Sequence, residues 1–335
     1  MKIRLAAMPV LLCTISILFA SCGDSKKSAT TGDASTKMVK VTQVMSWFAE
    51  PELGGQYTAL AKGFYKEAGL DMTIMPGGPS VSSVEIVASG KAQFGVGDAD
   101  GILLSRKAGV PVVAISAVFQ KDPQVLVYHA DDTSITGFGS LNGHTVFISP
   151  GAPYWEYLKK AYKLDKVNVV AYTGQLSPFI ANKTSLTQGY ITSEPYALKQ
   201  QGVNVKSLLI YDSGYQTYGD LLYTTEEMIK DHPDVVKRYV AATLKGWLYY
   251  KDHYEEINKS TILKANPDLT IGSTDYGAQA EMSLIFGGDA ATNGIGTMST
   301  ERWNKLGDQL KSLDLIPTDM DISKAYTTAF LPAKE

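Results

Sequence analysis

Residues 57–79 read YTALAKGFYKEAGLDMTIMPGGP. Tyr57 to Ala68 reads as a helix that stops at Gly69. Leu70 to Met75 reads as a strand that closes on Pro76-Gly77-Gly78-Pro79. Gly ends a helix because it accepts the left-handed backbone there, and a Pro/Gly cluster ends a strand. A helix running through a Gly stop into a strand is one α/β unit, and the unit recurs on both sides. Upstream, Val39 to Met45 is a strand. Downstream, Ser82 to Ser89 is a helix ending at Gly90, Gln93 to Val96 a short strand, and Gly101 to Ala108 a helix ending at Gly109. Val110 to Phe119 and Gln124 to Tyr128 are strands rich in β-branched residues.

The alternation then restarts. Thr145 to Ile148 is a strand, and Ser149-Pro150-Gly151-Ala152-Pro153 leads into a helix from Tyr154 to Tyr162. Val167 to Tyr172 is a strand, Ser177 to Asn182 a short helix, Gly189 to Thr192 a strand, Pro195 to Gln201 a helix, and Val205 to Tyr211 a strand leading out. Beyond that the chain turns helical, over Thr225 to Asp231, Pro233 to Glu256, Asp275 to Phe286 and Thr300 to Leu313. The pattern predicts an α/β fold with two lobes: residues 38–130 plus 214–335 in the first, residues 131–213 in the second. Two hinge crossings would join them across a ligand cleft, lined by the loops beyond the strand ends.

The length of 335 residues allows a hydrophobic core in each lobe. The net charge of −3 argues against nucleic-acid binding. Lys2 and Arg4 precede a long apolar stretch, then Ala20-Ser21-Cys22. Residues 1–21 thus read as an export signal. The junction resembles a bacterial lipobox, although Phe19 stands where Leu is usual, and Cys22 would become the lipidated first residue. An ordinary cleaved signal with an incidental Cys is the plainer alternative. Residues 22–37, polar and small, read as a flexible tether. Loss of the leader removes Lys2 and Arg4, giving −3 − 2 = −5. The two cysteines of the chain, Cys13 and Cys22, both fall in this region, so no disulfide and no thiolate site is expected in the mature fold.

Several stretches, read together, resemble periplasmic substrate-binding proteins of ABC importers. They are Phe64-Tyr65-Lys66-Glu67-Ala68-Gly69-Leu70-Asp71, Val87 to Gly95, and Gly109-Val110-Pro111-Val112-Val113. Ser193-Glu194-Pro195-Tyr196 resembles the "NEPY" element of the thiamine-precursor-binding branch, with Ser193 in place of Asn. His232 to Arg238 and Ala242 to Trp247 resemble its long helix. The resemblance covers roughly residues 40–260. It implies a type II periplasmic-binding-protein fold and a monomer delivering a small molecule to ABC permease subunits, anchored outside the cytoplasm by lipid. The same family includes sulfonate, taurine, nitrate and riboflavin binders.

Candidate ligand contacts follow from strand ends. Trp47 follows the first strand as a stacking platform or a rim Trp. Tyr57 could donate a hydrogen bond or be structural. Gly77 and Gly78 make a turn and could let a ligand approach the backbone. Asp98 would face the cleft, whereas Asp100 reads as a helix N-cap. Ser149, Gly151 and Tyr154 form one loop of the second lobe, and Gly174 with Gln175 another. Glu194 is a helix-start carboxylate that the resemblance turns toward a ligand. Tyr218 and Asp220 lie just after the return crossing. The chain has four Arg, at 4, 106, 238 and 302, and none falls in a strand-end loop. Sulfonate and carboxylate binders favour a bidentate Arg, although backbone N–H nests can replace it. Aromatics with carboxylates instead suit a flat heterocycle with N–H donors, such as a thiamine pyrimidine precursor or a flavin. No metal or cofactor is expected. Enzyme readings find little: no G-x-S-x-G, no H-E-x-x-H, and an Asp98-Ala99-Asp100-Gly101 run that lacks the rest of a calcium loop. Pyrimidine synthases of similar sequence carry a Cys-rich motif that this chain does not.

Overall fold

The computed structural model describes residues 38–333. The expected leader, Cys22 and the tether lie outside the described residues. Ten strands follow in chain order: β1 (Val39–Val44), β2 (Leu70–Met75), β3 (Phe94–Gly97), β4 (Val112–Phe119), β5 (Gln124–His129), β6 (Thr145–Ile148), β7 (Asn168–Ala171), β8 (Ser185–Tyr190), β9 (Val205–Leu209) and β10 (Gly219–Thr225). They form two sheets, ordered β2-β1-β3-β10-β4 and β7-β6-β8-β5-β9. Each sheet is parallel except for one strand. β10 runs antiparallel to β3 and β4, and β5 runs antiparallel to β8 and β9. In both cases the reversed strand is the one through which the chain arrives from the other sheet.

Two expectations need correction. β5 belongs to the second sheet, so the first crossing lies at residues 120–123 rather than near 130. β4 and β5 share the same β-branched composition. Pro123, which cannot donate to a ladder, separates them, and Val125 and Val127 bury against Phe179 and Leu198 of the second lobe. The sequence reading also placed no strand between residues 212 and 224, where β10 runs through the middle of the first sheet. A smaller change affects the helix expected over residues 57–68. It breaks into Gly54–Ala61 and Phe64–Glu67 at Gly63, whose φ is 77°.

The 25-residue helix Pro233–Ile257 buries Val236, Tyr239, Val240, Trp247 and Tyr250 against the first sheet and the helix Gly54–Ala61. Pro233 fits its first turn, where no N–H is needed. The Tyr239 ring lies 3.7 Å from that of Phe94, nearly parallel. The two helices cross at glycines. A methyl on Gly55 would overlap the Trp247 ring, and one on Gly246 would overlap the Gly55 carbonyl.

A second core runs across both lobes, joining Val44, Leu103 and Trp303 to Leu126, Trp155 and Leu158. The crossings are tied down from late in the chain. Gln120 and Lys121 N–H groups donate to the Leu284 carbonyl at 2.9 and 3.1 Å. In the return crossing Arg302 Nε donates to the Gln216 carbonyl at 2.6 Å, and Gln309 Nε2 to that of Gly214 at 2.9 Å. Tyr157 and Tyr162 hydroxyls both donate to the Ser213 carbonyl at 3.1 Å.

Overpacking at the glycine crossing has a definite expected outcome. Gly246→Val should lower unfolding free energy by about 1–3 kcal/mol, read from the urea midpoint. An unchanged midpoint would mean that the helices part there at no cost.

Candidate functional site

The reversed strands decide what reaches the cleft. Because β10 runs against β3, its first residues lie beside the carboxyl end of β3, with Leu221 opposite Gly97. Asp220 thus meets Asp98. Its backbone N–H donates to Asp98 Oδ1 at 3.3 Å, and its own Oδ1 accepts from the Ser46 hydroxyl at 3.1 Å. Asp220 has φ 39°, a left-handed conformation that costs a non-Gly residue on the order of 1 kcal/mol or more. In the same way β5 starts beside the end of β8, with Gln124 opposite Tyr190. That brings the first crossing, and with it Asp122, to the same edge.

Carboxyl groups from both lobes therefore converge. Burial raises the pKa of every one, because a charged oxygen loses its water, and like charges add to the effect. Asp98 is pushed well above the ordinary range by burial, then by Asp122, Asp100 and Asp220. Asp220 is raised by burial and then by Glu52. Glu50 is raised by burial, Glu52, Asp220 and Glu194. Glu281, fully buried, has no hydrogen-bond partner on either oxygen and is raised by burial, Glu52 and Asp220. Asp122 moves to about 7, through burial, with the Gln124 N–H at 2.8 Å opposing. Tyr190 faces Asp98, Asp122, Asp220 and Glu52, which with burial hold its hydroxyl protonated.

The three described arginines are engaged by other groups, although the charge of Arg302 still reaches Asp122 and opposes its rise. Arg106 pairs with Glu226 at 2.7 Å and Arg238 with Asp234 at 2.9 Å. The Arg302 guanidinium is spent on the Gln216 and Thr217 carbonyls. Among the described residues no group of three or more His, Cys, Asp or Glu is arranged to hold a metal ion.

The expected contacts divide. Trp47 stands exposed at 41%, edge-on to Phe48, directly after Ser46. Gly77 donates its N–H to the Trp47 carbonyl at 2.9 Å, and a methyl there would overlap the Met45 carbonyl, so the turn and the platform are one unit. A methyl on Gly78 would crowd the Phe48 ring. Tyr57 is buried, its hydroxyl pushed up to about 12 by burial and Glu50. In the second lobe Gln188 Oε1 accepts from the Ser149 N–H at 2.5 Å and the Tyr154 hydroxyl at 3.2 Å. Glu194 Oε2 accepts from the Tyr190 N–H at 2.5 Å and the Ser193 hydroxyl at 2.7 Å. Tyr172, raised to about 12 by burial and Glu194, brings the 172–175 loop to that carboxyl. Gly151 and Gly174 have φ 79° and 81° with open space around them, which makes them turn glycines at the surface.

Two expectations fail here. Asp100 is not the N-cap. Asp98 holds that position without a side-chain cap, and Asp100 Oδ2 instead accepts from the Tyr215 hydroxyl at 2.7 Å. Tyr218 is core rather than cleft. It is 1% exposed, its hydroxyl accepts from the Ser299 N–H at 3.0 Å, and Arg302 covers its ring at 3.7 Å. Sequence reasoning passed over Glu50, Glu52, Asp122, Tyr190, Tyr215 and Glu281. For Asp122 the hint was a carboxylate next to the Pro that ends β4.

Two cavities are lined by other residues. One of about 350 Å³ sits between the start of β1 and Met228 and Val235. Another of about 240 Å³ lies beside the crossings, between Lys121, Tyr211 and Arg302.

A family model for NMT1/THI5-like proteins matches residues 50–257. The chain belongs to the NMT1/THI5-like family. Within and around that family, it is 23% identical to a riboflavin-binding protein, RibY, of Chloroflexus aurantiacus, covering 99% of both chains. It is 22% identical to a formylaminopyrimidine-binding protein of Halalkalibacterium halodurans, over 94% of this chain and 96% of that one. A 4-amino-5-hydroxymethyl-2-methylpyrimidine phosphate synthase of Legionella pneumophila is 24% identical, over 88% and 92%. Among solved structures, the periplasmic aliphatic sulphonate binding protein SsuA of Escherichia coli superposes with a TM-score of 0.69 at 13% identity, covering 89% of this chain and 95% of that one. The NMT1/THI5-like chain thus has the generic periplasmic binding fold.

The raised carboxyls set a pH dependence. Folding lifts Asp122 from 3.8 to about 7, so between these values the folded chain holds a proton that the unfolded chain has released. Stability present below pH 4 is therefore lost as pH rises to about 7, then levels, at about 1.4 kcal/mol per pH unit for each such group. The melting point should be higher at pH 5 than at pH 8, and Asp122→Asn should flatten the slope. An equal slope in the variant would reject this account.

Proposed function

We propose that this NMT1/THI5-like chain is the solute-binding protein of an ABC importer and captures a small, flat, nitrogen-rich heterocycle, such as an aminopyrimidine thiamine precursor. One observation carries the reading: carboxyl groups of both lobes converge beside the exposed Trp47, with the described arginines engaged by other groups. A ring stacks on the indole face. Protonated carboxyls donate to ring nitrogens, and ionised ones accept from amino groups. Contacts from both lobes exist together only when the cleft is closed, so the ligand shifts the hinge equilibrium toward closure. A permease then receives the closed form.

The names of the riboflavin- and formylaminopyrimidine-binding relatives support a heterocycle. A sulfonate, as bound by SsuA, would want basic groups that are engaged elsewhere. A synthase reading has relatives of that name behind it. Against it, His129 is buried with Nε2 on the Phe179 carbonyl at 3.0 Å, and both cysteines lie near the amino terminus. We also propose that Cys22 is lipidated and holds the protein at an extracytoplasmic membrane face. No helix among the described residues is long and apolar enough to cross a membrane.

A thermal-shift screen tests the ligand class, with 4-amino-5-hydroxymethyl-2-methylpyrimidine, formylaminopyrimidine, riboflavin, taurine and nitrate as probes. A ligand at a hundred times its Kd adds about 2.7 kcal/mol. The expected result is a shift with a pyrimidine or riboflavin, weakened about 5- to 150-fold by Trp47→Ala, the usual span for loss of one base stack. A shift with taurine or nitrate alone would reject the heterocycle. For the anchor, Cys22→Ser should move the protein from the membrane fraction to the soluble one, and retention in membranes would refute lipidation.

A further inference from the structure

Tyr196 closes the Ser193-Glu194-Pro195-Tyr196 element, yet its side chain leaves the carboxyl cluster that Glu194 joins. Pro195 fixes the first turn of the helix Glu194–Gln200. From there Tyr196 reaches across to the first lobe, to the helix Ile271–Phe286. That helix has a rigid start. Thr270 caps it by accepting from the Ser273 N–H at 3.1 Å, and Ser273 Oγ accepts from the Thr270 N–H at 3.0 Å. Gly272 lies in this first turn and Tyr276 one turn on, so both occupy one helix face.

The two positions form a notch. A methyl built on Gly272 would overlap the Tyr196 hydroxyl, and its nearest neighbours are all Tyr196 atoms. The Tyr196 and Tyr276 rings lie with centroids 5.4 Å apart at 38°. Farther along the same helix, Gly277 fits closely but less tightly, with an added methyl 3.1 Å from the Thr192 carbonyl and from Pro51. The lobes therefore touch here through an aromatic pair seated over a missing side chain.

We propose that Tyr196, Gly272 and Tyr276 form a latch between the lobes, and that the latch sets ligand affinity by setting the closed fraction. Tyr196 is then a positioning residue. It acts on the ligand only through the hinge, since apparent affinity scales with the population of the binding-competent form. The affinity consequence rests on the two-lobe capture reading above, whereas the latch itself does not.

The test uses the full chain with Cys13→Ser and Cys22→Ser, and a dye pair on Lys66→Cys in the first lobe and Lys199→Cys in the second, both exposed. Single-molecule energy transfer reports lobe separation without a ligand. Tyr196→Ala removes the ring, and Gly272→Leu fills the notch with a good helix former. Each should lower the closed-to-open ratio by about 2- to 10-fold, the worth of one aromatic pair. Tyr196→Phe keeps the ring and should keep the ratio. Far-ultraviolet circular dichroism of each variant should match the parent, which separates opening from misfolding. Riboflavin and 4-amino-5-hydroxymethyl-2-methylpyrimidine, titrated against the same variants, should lose affinity in proportion to the closed fraction. Unchanged transfer in both Tyr196→Ala and Gly272→Leu overturns the latch. If transfer shifts as expected and neither probe binds, the latch stands and the heterocycle reading falls.

Discussion

The molecule depends on a constraint of chain direction. Each sheet is parallel but admits one reversed strand, and the reversed strand is the point of arrival from the other sheet. A parallel strand would have put the arriving residues at the far edge of its sheet. Reversal puts them at the carboxyl edge, where open α/β sheets hold ligands. Asp122 and Asp220 stand at those edges for that reason alone. One core runs across both sheets and joins the lobes.

The electrostatics follow. Carboxyls gathered by topology share a confined space, and their ionisation is opposed first by lost water and then by one another. Such a cluster is tolerable because burial and neighbouring charge favour the protonated forms, and because backbone and side-chain donors such as Ser46, Gln124 and Tyr215 satisfy some of the oxygens. Glu281 has no such donor. The left-handed backbone at Asp220 belongs to the same arrangement, since it lets one residue present its N–H to Asp98 and its carboxyl to Ser46.

Much of this was legible in the residues. Gly stops and β-branched runs locate the α/β units, and Trp47, Asp98, Ser149 and Glu194 do follow strands, as their flanking patterns suggest. Other features were silent for physical reasons. A strand's partner sheet leaves no trace in its own composition, which is why β5 read as first-lobe. β10 carries Leu221, Leu222 and Tyr223 behind a Gly-Asp start and reads like the end of a loop. Asp100 looked like a cap because caps and hydrogen-bond acceptors use the same side chains, and only the Tyr215 hydroxyl from a distant crossing distinguishes them. Tyr218 follows the crossing as a cleft residue would, but Arg302 and Ser299, some eighty residues later, claim both its ring and its hydroxyl.

The anchoring of the crossings has a consequence for biosynthesis. The first crossing hangs on the carbonyl of Leu284, and the second, besides the Tyr157 and Tyr162 hydroxyls on Ser213, on Arg302 and Gln309. Leu284, Arg302 and Gln309 all emerge from the ribosome after both sheets have their strands. The second lobe, residues 124–209, can therefore assemble before these three ties exist, and these ties on the crossings are made last, after the earlier residues of the shared core are already present.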